Sequence, residues 1–303
     1  MFDKLKYLLV KGLFMLPAML PLPVLHGLSR ILRFIIYRVL RYRVKVVRKN
    51  LRNALPELSE AERRRIERRF YLHLCDCIVE SVKLLCISDK ALNRRVEVVN
   101  GQAVERIARE GRPVVLFIGH YGCWEWVPAA ARGYSMPEIT GEIFRPLSNE
   151  VMNRVMHSIR SHFNTLQIPQ QRAFRELLRL RRDKGTFLIG FLSDQRPRGP
   201  QAHHSTMFMG RMTSYAAGGE EIGRRIDAGY LYLDIEKRAR GRYTMTFTEL
   251  HPTEEEMRSE YPYTICYMRH LEQTIRRAPE YWLWSHKRWK FEDRAAEAAQ
   301  GDA

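Results

Sequence analysis

The stretch Val114-Val115-Leu116-Phe117-Ile118-Gly119-His120-Tyr121-Gly122-Cys123-Trp124-Glu125 sets an imidazole and a carboxylate on either side of a glycine-containing turn, directly after an apolar run. Such a run reads as a buried strand, and reactive side chains collect where the strands of an α/β sheet end, because the loops there are free to face a ligand. Acyl transfer from a thioester to an alcohol needs a base to take the hydroxyl proton and a carboxylate to fix the base's tautomer and stabilise its cation. His120 and Glu125 are the candidate pair for those roles. The same two residues also fit a structural histidine at a strand end and a glutamate in the first turn of a helix, where a carboxylate is favoured anyway. Two further strand ends add polar groups. Phe144-Arg145-Pro146-Leu147-Ser148-Asn149 places a guanidinium where it could clamp a phosphate or stabilise an oxyanion, and Ser193-Asp194-Gln195-Arg196-Pro197 places a carboxylate and an amide. Arg145, Asn149, Asp194 and Gln195 are therefore candidate substrate-binding residues, although a surface ion pair for Arg145 and a turn cap for Asp194 fit the local sequence equally.

The elements that must position these residues follow from periodicity. Ser59 and Glu62 form a capping box, and Ile66, Phe70, Leu74, Ile78, Val82 and Leu85 recur at helical spacing, predicting a long helix over 59–87. Beyond it come strand-like runs at 113–118, 137–144 and 186–192, with helices expected over 148–163 and 172–184, the latter closed by Gly185. Two more strands, 230–236 and 243–250, flank a turn at Arg240-Gly241, and a last helix is expected over 253–277. Alternation of this kind predicts an α/β fold: a mixed sheet covered by helices on both faces.

The chain of 303 residues carries 51 Lys plus Arg against 34 Asp plus Glu, a net charge of +17 that favours polyanionic partners such as anionic membrane, phosphorylated substrates or nucleic acid. The cysteines form neither a CxxC pair nor an even, secreted-type framework, which favours a reducing compartment. Residues 7–28 are almost wholly apolar but interrupted by Pro17, Pro21 and Pro23. No small-residue cleavage site follows; from Arg30 to Arg52 come basic residues interleaved with apolar ones and no acidic residue at all. That composition suits an amphipathic surface resting on anionic headgroups, and it also suits a solvated basic helix face. The expected organisation is an N-terminal membrane anchor and basic segment over 1–52, one domain over 53–290 and a disordered tail over 291–303.

In order and spacing, the segment 119–125, the segment 144–149, Asp194-Gln195 and the ending Glu272 through Lys290, which includes Tyr281-Trp282-Leu283-Trp284-Ser285-His286-Lys287-Arg288-Trp289, resemble the late acyltransferases of lipid A biosynthesis, within the wider glycerolipid-type acyltransferases. The resemblance runs from about residue 5 to residue 290. It implies a glycerolipid-acyltransferase-like fold with an N-terminal anchor at the inner membrane and a catalytic domain facing the cytoplasm. It further implies a His-x4-Glu pair at His120 and Glu125, an Arg and an Asp near the site, an acyl carrier protein thioester as donor with acyl coenzyme A left open, a glycolipid acceptor, and no cofactor. The sequence departs from the family at Met207-Phe208-Met209-Gly210 and at the glycine-rich Ala216-Ala217-Gly218-Gly219, where a more helical segment is usual.

Other constellations are less informative. His203 and His204 lack a second ligand set for a metal. Cys123 reads as a small packed residue. Trp282, Trp284 and Trp289 fit an interfacial belt or a packed C-terminal segment. No GxSxG, P-loop or GxGxxG occurs, which argues against a serine hydrolase, an NTPase and a dinucleotide enzyme. A basic nucleic-acid-binding protein would account for the charge but not for its concentration beside an apolar N-terminus, so no nucleic-acid partner is expected.

Overall fold

Proline sets the path of the N-terminus. In the computed structural model, which describes residues 2–160, 163–197 and 204–290, helix α1 (Phe2–Ala18) gives way at Pro21 to α2 (Leu22–Arg33), whose first turn accommodates Pro23. Among the described residues no single helix is long and apolar enough to cross a membrane; Lys6–Ala18 and Leu22–Val39 have the composition together but are bent by 113° at the break. The basic stretch 30–52 is not one helix. A π-helical turn (Phe34–Val39) follows α2, Arg41 and Arg43 take left-handed backbone angles of 48° and 53°, and α3 (Val44–Ala54) then starts in a new direction.

The capping box at Ser59 opens α4 (Glu60–Lys83), as the spacing predicts. A short α5 (Asp89–Asn93) leads to β1 (Val96–Val99), α6 (Gln102–Arg109) and β2 (Val114–Ile118), every residue of which is buried. A 3₁₀ segment (Trp124–Gly133) connects β2 to β3 (Thr140–Phe144), followed by α7 (Glu150–Arg160), β4 (Leu166–Pro169), α8 (Ala173–Lys184) and β5 (Leu188–Leu192). A hairpin of β6 (Ser205–Phe208) and β7 (Arg211–Ser214) precedes α9 (Gly218–Arg225), β8 (Gly229–Ala239), β9 (Arg242–Glu249), α10 (Glu254–Met257) and α11 (Pro262–Arg277).

The expected mixed sheet has seven strands in the order β1-β9-β8-β2-β5-β3-β4, parallel except for the antiparallel β8–β9 pair. Because β2, β3 and β5 are parallel neighbours, the residues that follow Ile118, Phe144 and Leu192 emerge on one edge. Helices cover both faces: on one, Tyr267 of α11 stacks on Phe117 at 5.0 Å and a Cβ at Gly219 of α9 would meet the same ring at 2.9 Å; on the other, a Cβ at Gly229 of β8 would meet Ile107 of α6 at 2.7 Å. The glycine-rich 216–219 segment therefore begins a helix. The expected continuous helix over 253–277 is two, since Thr253 caps α10 in a box with Glu256 and Pro262 starts α11. The tail 291–303 and His203 lie outside the described residues.

The N-terminal helices join the core through charge as well as apolar contact. Leu22, Leu25, Val47 and Leu51 belong to the main apolar cluster. Beside them His26 Nε2 lies 2.9 Å from Glu80, which also accepts the Tyr243 hydroxyl, while Asp76 accepts from Ser29, Lys237 and Arg240. Asp76 and Glu80 are fully enclosed, so each needs these partners to offset desolvation.

Candidate active site

His120 stands just beyond the end of β2, and its two ring nitrogens have different partners. Nδ1 lies 2.6 Å from Asp194 Oδ1, while Gln195 Nε2 lies 3.1 Å from Nε2. A carboxylate accepts only, so Nδ1 carries the hydrogen and Nε2 keeps its lone pair, the tautomer a general base requires. Asp194 is itself over-determined: its second oxygen accepts from the His120 backbone N–H at 3.0 Å and from the indole of Trp282 at 2.8 Å. Burial pushes the Asp194 carboxyl up, but the His120 ring and these hydrogen bonds outweigh it and hold the acid below the usual carboxylate range.

Glu125, expected to orient the imidazole, is engaged elsewhere. Both of its oxygens accept from Arg160 of α7, at 2.9 and 3.1 Å, in a forked pair whose side chains are mostly buried. Arg160 also lies 3.4 Å from Glu142 of β3. Burial raises the Glu142 carboxyl to about 7, against the opposing pull of Arg160, so this acid titrates near neutrality. The spacing of His120 and Glu125 brings them to the same turn, but a 3₁₀ rather than α-helical continuation carries the Glu125 side chain toward α7.

The turn between them is held from behind. Gly122 has a φ of +59°, and a Cβ there would lie 2.7 Å from Ile235, so both conformation and space require glycine. Its carbonyl accepts from the Cys77 thiol at 3.3 Å and meets His73 Nε2 at 3.2 Å. Lys237 donates to His73 Nδ1 from 3.1 Å, which leaves the His73 hydrogen on Nε2, pointing at that carbonyl. Burial first, then the Lys237 charge, lowers His73 to about 3 and keeps it neutral. The C-terminal segment pins the same turn: Gly122 N–H donates to Tyr281 O at 3.0 Å, and Leu283 N–H donates to His120 O at 3.1 Å.

Of the other expected residues, Asp194 and Gln195 meet His120 directly. Arg145 is exposed at the end of β3 with no ion pair among the described residues, and Asn149 accepts from the Met152 N–H at 3.0 Å, capping α7. Trp282, Trp284 and Trp289 are buried, so they pack the C-terminal segment rather than forming an interfacial belt, and Cys123 is a packed thiol. Arg160 and Trp282 are contacts that local sequence could not pair with their partners; Arg160 lies on a helix face with no neighbouring signal, and the indole donor of Trp282 finds Asp194 only through tertiary folding.

A cleft of about 530 Å³ opens beside the ring. Trp124 and Gln195, both touching His120, line it together with the apolar Ile36 and Leu40 of the π-helical turn, Leu74, Ile78 and Leu283. Arg43, Ser285 and His286 complete the lining. A base with its lone pair available, a buried carboxylate behind it and an apolar cleft in front suit deprotonation of a hydroxyl next to a long hydrocarbon chain.

The match of this sequence to the family model described as bacterial lipid A biosynthesis acyltransferase extends over residues 1–291. The chain belongs to that family. Among characterised proteins, this family member is 26% identical over 142 residues to the lipid A biosynthesis lauroyltransferase of Escherichia coli (strain K12), a match covering 47% of this chain and 45% of that relative.

Proposed function

We propose that this chain transfers a fatty acyl group from a thioester donor to a hydroxyl of a lipid A type glycolipid precursor. The observation that carries the reading is the Asp194–His120 pair, 2.6 Å apart, fixed behind an apolar cleft in a member of the lipid A acyltransferase family. The acceptor hydroxyl adds to the thioester carbonyl carbon while His120 Nε2 takes its proton, and Asp194 stabilises the imidazolium. The tetrahedral oxyanion then re-forms the carbonyl, the C–S bond breaks with its electron pair on sulfur, and the imidazolium returns the proton to the thiolate. Gln195 occupies the Nε2 lone pair in the unliganded site and must yield it to the acceptor hydroxyl. Glu125 acts one step removed, tying the turn that bears His120 to α7 through Arg160.

The enzyme acts at a membrane surface. Leu13, Leu16, Phe34, Val39 and Leu40 expose 61–70% of their area along the N-terminal helices and the π-helical turn, with Arg30, Arg33 and Arg38 among them. The catalytic face lies on the cytoplasmic side of the inner membrane, and an acyl carrier protein, acidic and drawn to a +17 chain, is the preferred donor over coenzyme A.

The test is transfer in neutral detergent by the purified protein, with acyl carrier protein and coenzyme A thioesters as donors and a lipid A precursor as acceptor, read by mass spectrometry. A mass increase of one acyl group, abolished in His120→Ala, is the expected result. Absence of that product with either donor, from folded protein, refutes the reading.

A further inference from the structure

His286 lines the cleft together with Gln195 and Trp124, the two residues that touch His120, and takes no part in the proton transfers made by His120. Its position is rigidly set by main-chain contacts to α3 and the segment before it. Asn50 donates to the carbonyls of both Trp284 and His286, at 2.8 and 2.9 Å, and Arg43 donates to that of Ser285 at 2.9 Å. The segment Trp284 to His286 is thus clamped by two side chains from the N-terminal region. The ring so held makes no side-chain hydrogen bond among the described residues: Nδ1 is enclosed without a partner, which leaves Nε2 as the nitrogen able to reach a ligand in the cleft. An enclosed ring nitrogen without a partner carries a desolvation cost that a purely packed residue would not need.

We infer that His286 is a catalytic hydrogen-bond donor, whose Nε2–H is directed at the thioester carbonyl oxygen as that oxygen becomes an oxyanion. The ring's surroundings fit a neutral donor. Burial, followed by the charges of Arg288, His120 and Arg196 against the opposing Asp194, lowers His286 to about 4, so at neutral pH the imidazole is uncharged and holds one hydrogen. Nδ1 is enclosed and meets no partner, so a hydrogen carried on Nε2 is the one that a ligand in the cleft can accept. A neutral imidazole kept from protonation polarises a carbonyl without competing for the proton that His120 must take. The acceptor's proton moves to His120 and the carbonyl's electron pair to oxygen, while His286 keeps its hydrogen and contributes only the contact.

The inference rests on the acyl-transfer reading, and the test separates the two. Steady-state kinetics would compare wild type, His120→Ala, His286→Phe and His286→Gln with one acyl thioester donor, with melting temperatures recorded for each. Phenylalanine preserves the ring's shape without a donor, whereas the glutamine amide can place N–H near the Nε2 position. Removing one preorganised oxyanion donor typically lowers kcat by about 10²–10³. The expected result is a fall of that order in His286→Phe with KM changed by less than about threefold, and recovery of at least about tenfold of the loss in His286→Gln, since a contact made only in the transition state acts on kcat. The pH dependence of the residual rate should match wild type, because His286 remains neutral throughout the working range. A His286→Phe enzyme with unaltered kcat beside an inactive His120→Ala enzyme overturns this inference and leaves the functional reading intact. A loss confined to KM, or a glutamine variant as impaired as the phenylalanine one, overturns it equally, the first by assigning His286 to ground-state binding and the second by assigning it to shape alone.

Discussion

Replacing Glu142 by Gln should make the protein more stable at pH 8 than wild type and leave the two similar at pH 4.5. In the folded chain Glu142 ionises at about 7, against 4.5 ordinarily, because burial disfavours its charge more than Arg160 favours it. A carboxyl whose folded value is raised binds more protons folded than unfolded between those two pH values, so wild-type stability falls as pH rises through that window and is flat above it. At about 1.4 kcal/mol per pH unit, the interval amounts to about 3 kcal/mol. Glutamine cannot ionise and escapes that loss. The measurement is chemical denaturation of both proteins in a fixed neutral detergent from pH 4.5 to 8.5, reported as the difference between them. That difference should grow by about 3 kcal/mol toward alkaline pH, with most of the change between pH 5 and 7. A pH-independent difference would show that Glu142 ionises normally and that Arg160 is shared evenly between two charged carboxylates.

Asp194→Asn should lower turnover by roughly 10²–10⁴-fold while keeping the fold, because an amide can offer its N–H to Nδ1 and reverse the tautomer; turnover within a few-fold of wild type would remove Asp194 from the proton path. Arg160→Ala leaves the buried Glu125 carboxylate unpaired and should cost about 3–5 kcal/mol of stability, measured by denaturation, with Glu125→Gln costing less. Arg145→Ala should impair transfer more than Arg145→Lys if the guanidinium makes a forked contact to phosphate, as steady-state kinetics on both would reveal. Deleting residues 1–28 removes His26 from Glu80, so the truncated chain should melt lower than wild type in detergent as well as bind membranes less tightly; an unchanged melting temperature would contradict the buried pair.

Much of the sheet was readable because β2 and β5 are apolar runs, because β9 alternates threonine with Tyr243, Met245 and Phe247, and because a capping box marks α4. The three strand ends carrying His120, Arg145 and Asp194 follow from that pattern alone. What stayed hidden depends on contacts distant in sequence. The carboxylate nearest His120 along the chain is Glu125, yet the one that meets Nδ1 is Asp194, 74 positions away, since parallel pairing of β2 with β5 sets Ile118 beside Leu192. Local spacing favours the nearer residue; only strand order selects the farther one. The short edge strands β1 and β4 and the β6–β7 hairpin have too few alternating residues to register as strands, and the basic stretch 30–52 carries no proline or glycine to announce that its path turns at Arg41 and Arg43.

The N-terminal segment supplies both exposed apolar surface and part of the cleft wall. Leu40 is both among the most exposed apolar residues and part of the cleft wall, and Ile36 of the same π-helical turn lines the cleft as well. In this π-helical turn Phe34, Ile35 and Val39 are exposed, while Ile36 lines the cleft and Tyr37 is buried. Farther along, Arg43 and Asn50 clamp the segment bearing His286, while His26 and Ser29 close the buried charge network around Glu80 and Asp76. The exposed apolar surface of the N-terminal segment is thereby continuous with the apolar cleft wall at Leu40. On the proposed membrane placement, a lipid acceptor would enter the cleft along this apolar surface, sparing about 0.8 kcal/mol for each CH₂ not exposed to water on the way.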